Sequence, residues 1–175
     1  KRSDVDPFIV MDVMESARIA EEKGKDIIHM EVGQPGTPAP KIAKDYITNE
    51  INKNNLGYTV SLGLPALRAK ISKLYGDWYN LDLNPNRIVV TTGSSGAFIL
   101  SFSALFDSGD RVGIGSPSYP SYRQILKSLS LETVDIQTKL QNRFQPVPED
   151  ITDNNLNGIL VASPANPTGS MLDKQ

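Results

Sequence analysis

The chain has 175 residues, enough for one domain with a substantial apolar core. Its net charge of −2 leaves no electrostatic footprint for nucleic acid or an anionic membrane, and the lack of cysteine excludes disulfides, thiolate metal sites and cysteine nucleophiles. No apolar run reaches the roughly 18–20 residues of a membrane span, and Lys1 to Pro7 lacks the apolar core of a signal peptide, so a cytoplasmic protein is expected.

Asp6-Pro7 predicts a helix start, with Pro7 at the first helical position. Phe8, Met11, Met14 and Ala17 then recur at three-residue intervals up to a stop at Gly24. Methionines at this spacing pack against a core or a partner subunit. Ile27 to Val32 reads as a strand. It holds His29, the single histidine, for which a structural role is expected because the sequence identifies neither the carboxylate nor the nucleophile of a triad. Gly33-Gln34-Pro35-Gly36-Thr37-Pro38-Ala39-Pro40 is too rich in Pro and Gly for regular structure. It is either a rigid connector or a loop whose glycines let a ligand approach the backbone. A helix follows, with Ile42, Ala43, Tyr46, Ile47 and Ile51 on one side. Leu56-Gly57-Tyr58-Thr59 interrupts it. A second helical pattern carries Leu64, Leu67, Ile71, Leu74, Tyr75 and Trp78, which predicts Trp78 as a core residue.

The run Arg87-Ile88-Val89-Val90 predicts a strand, Thr91 to Gly96 a small-residue turn, and the apolar segment to Phe106 a helix. Gly and Ser at such a turn serve as a turn and an N-cap. They also suit an anion cradle, since the first helical N–H groups are unpaired and the dipole favours negative charge there. Further on, Arg111–Gly115 reads as a strand, Ser116–Tyr122 as a loop and Arg123–Leu129 as a helix. Leu131–Ile136 is another strand, and Thr138–Asn157 is a polar, irregular surface connection. Gly158–Ser163 is an apolar strand of the type buried on both faces of a parallel sheet, and it delivers Pro164–Gly169. Alternating strands and helices predict an α/β fold with right-handed crossovers. Ligands of such sheets sit at the carboxyl ends of strands. Together the three connectors offer phosphate donors, an aromatic face and an amide, a set that fits a flat, phosphorylated, heteroaromatic ligand. The turn at Gly93–Gly96 has neither the Lys-Ser/Thr ending of a nucleoside triphosphate loop nor the dinucleotide fingerprint.

Val32-Gly33-Gln34-Pro35, Gly57-Tyr58, Gly63-Leu64-Pro65-Ala66-Leu67-Arg68, Thr92-Gly93-Ser94-Ser95-Gly96, Ser108-Gly109-Asp110, Pro117-Ser118-Tyr119-Pro120 and Asn166-Pro167-Thr168-Gly169 follow one another in the chain. In this order they resemble the N-terminal part of the class I/II pyridoxal-phosphate aminotransferases, the aspartate aminotransferase superfamily. The resemblance implies a three-layer α/β/α fold with a mostly parallel sheet, incomplete in this chain. It implies that residues 1–40 form part of a small domain or dimer arm, and residues 41–175 part of the large cofactor-binding domain. It also implies site roles. Ser94, Ser95 and the N–H groups about Gly96 would hold the phosphate of pyridoxal 5'-phosphate. Tyr119 would stack on the pyridine ring, and Asn166 would hydrogen-bond the ring oxygen. Tyr58 would reach the cofactor phosphate of a neighbouring subunit in a homodimer, and Gly33 would let its loop touch the substrate carboxylate. Leu67-Arg68 would be structural.

In the family, the Asp that pairs with the pyridine nitrogen, the lysine that carries the cofactor and two anion-binding arginines come later than the position at which this sequence stops. No substitute lysine is found: Lys70, Lys73 and Lys127 read as surface helix positions, and Lys174 falls in a tail. The sequence is therefore expected to be a truncated aminotransferase that exchanges an amino group between an amino acid and a 2-oxo acid, inactive on its own, with no catalytic residue and no metal site. A pyridoxal-phosphate lyase of the same fold is the first alternative. A non-catalytic regulatory domain is the second, and no basic recognition helix precedes Pro7 to favour it.

Overall fold

The computed structural model describes residues 3–151 and 155–173. It contains helices α1 (Ile9–Glu22), α2 (Lys41–Ile51), α3 (Pro65–Tyr79), α4 (Gly93–Leu105) and α5 (Pro120–Ser128), and strands β1 (Arg111–Ser116), β2 (Glu132–Gln137) and β3 (Gly158–Leu160). They fall into two compact units: the described residues up to Ile19 together with those from Thr92 onward, and Ala20–Thr91.

In the first unit, β1 pairs in parallel with β2 on one side and β3 on the other. Parallel pairing places the carboxyl ends of all three strands at one rim of the sheet. Along β1, Val112 and Ile114 point to one face and Gly113 to the other. On the first face, Phe102 from α4, Ile125 and Leu126 from α5 and Leu131 close a core over Val112 and Ile114. Phe98, Phe102 and Phe106 recur every fourth residue and form a ridge of rings, with centroids 5.7 and then 6.2 Å apart. The ridge dictates a glycine in β3: a Cβ on Gly158 would lie 2.5 Å from Phe106 Cζ.

In the second unit, the buried Arg68 of α3 acts as a structural clamp. Its Nε donates to the Gly63 carbonyl at 3.1 Å, and Nη1 donates to the Pro85 carbonyl at 3.0 Å and to Asn86 Oδ1 at 3.3 Å. Ser72 Oγ donates to the Leu83 carbonyl at 2.6 Å. Gly63 has φ +98°, and a Cβ there would fall 2.6 Å from Val90 Cγ2, so both conformation and space demand glycine.

Several sequence expectations need correction. Ile27–Val32 is not a strand; it has no ladder partner among the described residues, and Ile28 and Met30 are exposed. The residues around Arg87–Val90 do not form one either. A 3₁₀ turn at Pro85–Arg87 leads into extended backbone, where the Val90 N–H donates to the Leu62 carbonyl at 3.0 Å. An apolar run has strand propensity, but only a paired neighbour makes it a strand. The first helix begins at Ile9, not Pro7, and Met11 and Met14 are exposed rather than packed in this chain's core. Trp78 is 68% exposed, with the edge of Tyr79 against it at 6.2 Å, so it is not a core residue. The last strand stops at Leu160, and Ile159 and Val161 are exposed while Leu160 packs on the core, so the segment is not buried on both faces. The fifth helix starts at Pro120, three residues before the expected Arg123, in keeping with proline's preference for a first turn. Lys174 and positions 152–154 of the polar connection lie outside the described residues.

His29 does find carboxylates. Nε2 lies 2.9 Å from Glu21 Oε1 and Nδ1 lies 2.7 Å from Glu31 Oε1, with no nucleophile in the cluster. The hydrogen bond to Glu31, then that to Glu21, raises the imidazole from 6.5 to about 9. A folded-state value above the unfolded one means that the clasp is complete below pH 6.5 and is lost as pH rises through about 9. An NMR titration of the His29 ring protons is therefore expected to show its midpoint near 9, and His29→Gln to abolish it. A midpoint at the free-histidine value would contradict the clasp.

Candidate functional site

The first of the three connectors enters α4. Gly93 takes φ +77°, a conformation that L side chains rarely adopt, and turns the chain into the helix. Thr92 makes no side-chain capping bond, so it leaves the helix start open. Helix geometry gives the N–H groups of Ser94 and Ser95 no acceptor one turn back, whereas the Gly96 N–H falls opposite the Thr92 carbonyl. Ser94 and Ser95 are exposed. Two hydroxyls and a row of N–H groups at a positive dipole end have the chemistry of a phosphate site.

The second connector leaves β1 and enters α5. Tyr119 flanks the helix start, half-buried, with its ring edge-on to Phe8 at 6.3 Å and to Tyr122 at 5.4 Å. Tyr122 in turn meets Phe98 of α4 at 4.9 Å, one turn beyond Ser94 and Ser95. A continuous run of rings thus joins the beginnings of α5 and α4. Burial, with the neighbouring Tyr119 second, pushes the Tyr122 phenol above its usual value and keeps it neutral.

The third connector follows β3. The Gly169 N–H donates to the Ala165 carbonyl at 2.8 Å, and the Ala165 N–H donates to the Ser170 carbonyl at 2.9 Å. This closed turn presents Asn166, exposed, at its tip. The peptide bonds before Pro117, Pro164 and Pro167 are cis.

Two cavities join these connectors. One, of about 20 Å³, lies at the carboxyl rim and is lined by Pro117, Ser118 and Tyr122 from the second connector and by Ala165 and Asn166 from the third. The other, of about 300 Å³, brings Ser95 together with Ser121, Phe8 and Asp6. Tyr58 and Gly33 belong to the second unit. Tyr58 is fully exposed, and Gly33 has open space where a Cβ would stand. Lys70, Lys73 and Lys127 occupy helix surfaces, Lys73 paired with Asp77 at 2.7 Å and Lys127 with Asp6 at 3.4 Å.

One residue lining the rim cavity had no sequence signal. Gln145 sits in the polar connection yet is 4% exposed, and its amide reaches both ends of the Asn166 turn. No local pattern distinguishes it from its polar neighbours.

A parallel sheet with helices packed on it, and with the second and third connectors meeting at its carboxyl rim, makes an α/β domain. Residues 25–175 match the family described as aminotransferase class I and II, and the chain belongs to that family. It is similar to the valine–pyruvate aminotransferase of Mycobacterium tuberculosis, at 43% identity over 98% of this chain and 45% of that protein. Among solved structures, an aminotransferase from M. tuberculosis aligns with a TM-score of 0.92 at 43% identity, covering 98% of this chain and 45% of that one. A protein from Silicibacter pomeroyi aligns with a TM-score of 0.85 at 60% identity, covering 98% of this chain and 44% of that one. The fold is accordingly that of the aspartate aminotransferases, of which the described sheet and helices form an incomplete α/β domain. The chain spans under half the length of the relatives it matches.

Proposed function

We propose that this chain supplies the phosphate-binding and ring-facing part of a pyridoxal-phosphate aminotransferase that moves an amino group between an amino acid and a 2-oxo acid. One observation carries the reading: an open helix start with two free-standing serines, an aromatic face and an exposed amide all occur in one compact unit of a chain of this family. These donors fit the cofactor. Ser94, Ser95 and the N–H groups about Gly96 at the helix start would hold its phosphate as charge-assisted donors. Tyr119 would cover one face of the ring and shield it from water, and Asn166 would donate its amide N–H to the ring oxygen. The bound cofactor supplies the electron sink, and the protein supplies orientation and electrostatics. Gly33, which has no side chain to obstruct it, would leave room for the substrate carboxylate. Tyr58, fully exposed, would serve the site of a second copy in a homodimer working in the cytoplasm. The lysine that carries the cofactor would lie beyond Gln175, so the chain alone would not turn over.

The experiment uses the full-length protein that carries this sequence, with pyridoxal 5'-phosphate, an amino-acid donor and a 2-oxo acid. The expected result is a visible absorption band from bound cofactor that changes on adding the donor, together with a new amino acid made from the 2-oxo acid. A colourless protein that retains no cofactor would sink the reading. Turnover of the donor without a new amino acid would replace it with a lyase.

A further inference from the structure

The turn that presents Asn166 is not held by its own two backbone bonds alone. Gln145 Nε2 donates to the Ser170 carbonyl at 2.7 Å and to the Ala162 carbonyl at 3.1 Å, with Ser170 Oγ at 3.3 Å. Ala162 and Ser170 flank the turn on either side, so a single buried amide ties down both of its ends. The chemistry selects glutamine: one nitrogen carrying two N–H groups serves two carbonyls, which a carboxylate or an apolar side chain of the same length cannot do. The local backbone is shaped to deliver it. Arg143 and Phe144, immediately before it, both take left-handed φ values of +52° and +58°. The Arg143 guanidinium pairs with Asp173 and also donates to the Met171 carbonyl at 3.3 Å, so the segment leaving the turn is held from the same side. Gln145 and Asn166 line the same cavity at the carboxyl rim, with Pro117 and Tyr122 of the aromatic connector.

We propose that Gln145 is a positioning residue of the cofactor site, fixing where the Asn166 amide stands relative to the aromatic connector. The inference rests on the cofactor-binding role proposed for Asn166. It makes Gln145 a residue that acts on the ligand only through another.

A double-mutant cycle tests this in the full-length protein, reading pyridoxal 5'-phosphate affinity by equilibrium dialysis. Asn166→Ala removes one hydrogen bond to the ring and is expected to weaken binding about tenfold. Gln145→Met keeps the length and apolar volume but has no donor, and is expected to weaken binding by a similar factor, about tenfold. The decisive value is the double variant, expected to stand about tenfold below wild type, because Gln145 has nothing to position once the Asn166 amide is gone. A double variant about a hundredfold weaker, or a Gln145→Met protein with wild-type affinity, overturns the proposal. A merely structural loss would add to Asn166→Ala instead of vanishing behind it. If Gln145→Met does not fold, Gln145→Asn, whose amide is one methylene too short to serve both carbonyls, carries the same cycle. If Asn166→Ala leaves affinity unchanged, the cofactor reading of Asn166 fails and takes this inference with it. If Asn166→Ala weakens binding and Gln145→Met does not, only the role of Gln145 fails.

Discussion

Replacing both Ser94 and Ser95 with alanine is expected to weaken the hold of the full-length protein on pyridoxal 5'-phosphate by about a hundredfold. A hydrogen bond to a charged group contributes roughly 1.5–3 kcal/mol, and the two hydroxyls at the start of α4 would make one each to the phosphate. Their exposure argues for the lower end of that range, so each single variant is expected to lose about tenfold. Binding is not abolished, because the N–H groups of the helix start are backbone and survive the substitutions. Pyridoxal without its phosphate provides the control. Its affinity should be the same for wild type and double variant, since the ring contacts proposed for Tyr119 and Asn166 would be untouched. Equal losses for both ligands would mean that the serines act by holding the local structure and not by binding the phosphate.

The connectors were legible because their signals are short and local. Gly93 declares itself by its position between an apolar run and a helix, and Asn166-Pro167-Thr168-Gly169 is a recognisable string at the end of an apolar segment. Each needs only its immediate neighbours to form. Gln145 was illegible for the opposite reason. Its partners Ala162 and Ser170 lie 17 and 25 positions away, and nothing in its own vicinity marks it. The expected strands at Ile27–Val32 and Arg87–Val90 failed in the same way, since strand formation is a property of a pair and the sequence shows one member.

Periodicity correctly placed α2 and α3 and named their apolar sides, yet Ile42, Tyr46, Ile47 and Ile51 are exposed, as is Trp78. A hydrophobic stripe states which face avoids water without stating what covers it. Among the described residues the cover is missing in the second unit and present in the first, where α4 and α5 close over β1. The observed core therefore lies where strands supply a surface to pack on.

That small core makes Leu126→Ala the substitution with the largest expected cost to stability. Leu126 is 0% exposed and lies between Ile125, Leu131 and the face of β1 that carries Val112 and Ile114. Its backbone carbonyl also accepts from the Leu129 N–H and from the Leu131 N–H, which starts the run into β2. Truncating a buried leucine to alanine typically costs about 2–5 kcal/mol, and a side chain with no exposed surface in a tight cluster belongs near the middle, about 3 kcal/mol. For a chain of this size that lowers the melting temperature by roughly 6–12 °C. Leu126→Met, which conserves volume, should cost less than about 1.5 kcal/mol, and because alanine is the better helix former the difference between the two variants reports the cavity. The damage should reach the site, because α5 carries Tyr119 at its start and Tyr122 in its first turn. Near-ultraviolet circular dichroism of the tyrosines is expected to weaken in Leu126→Ala below its melting temperature and to be unchanged in Leu126→Met. A melting temperature within about 2 °C of wild type would show that the cluster collapses around the cavity, and that the rigidity of the α5 start comes from elsewhere.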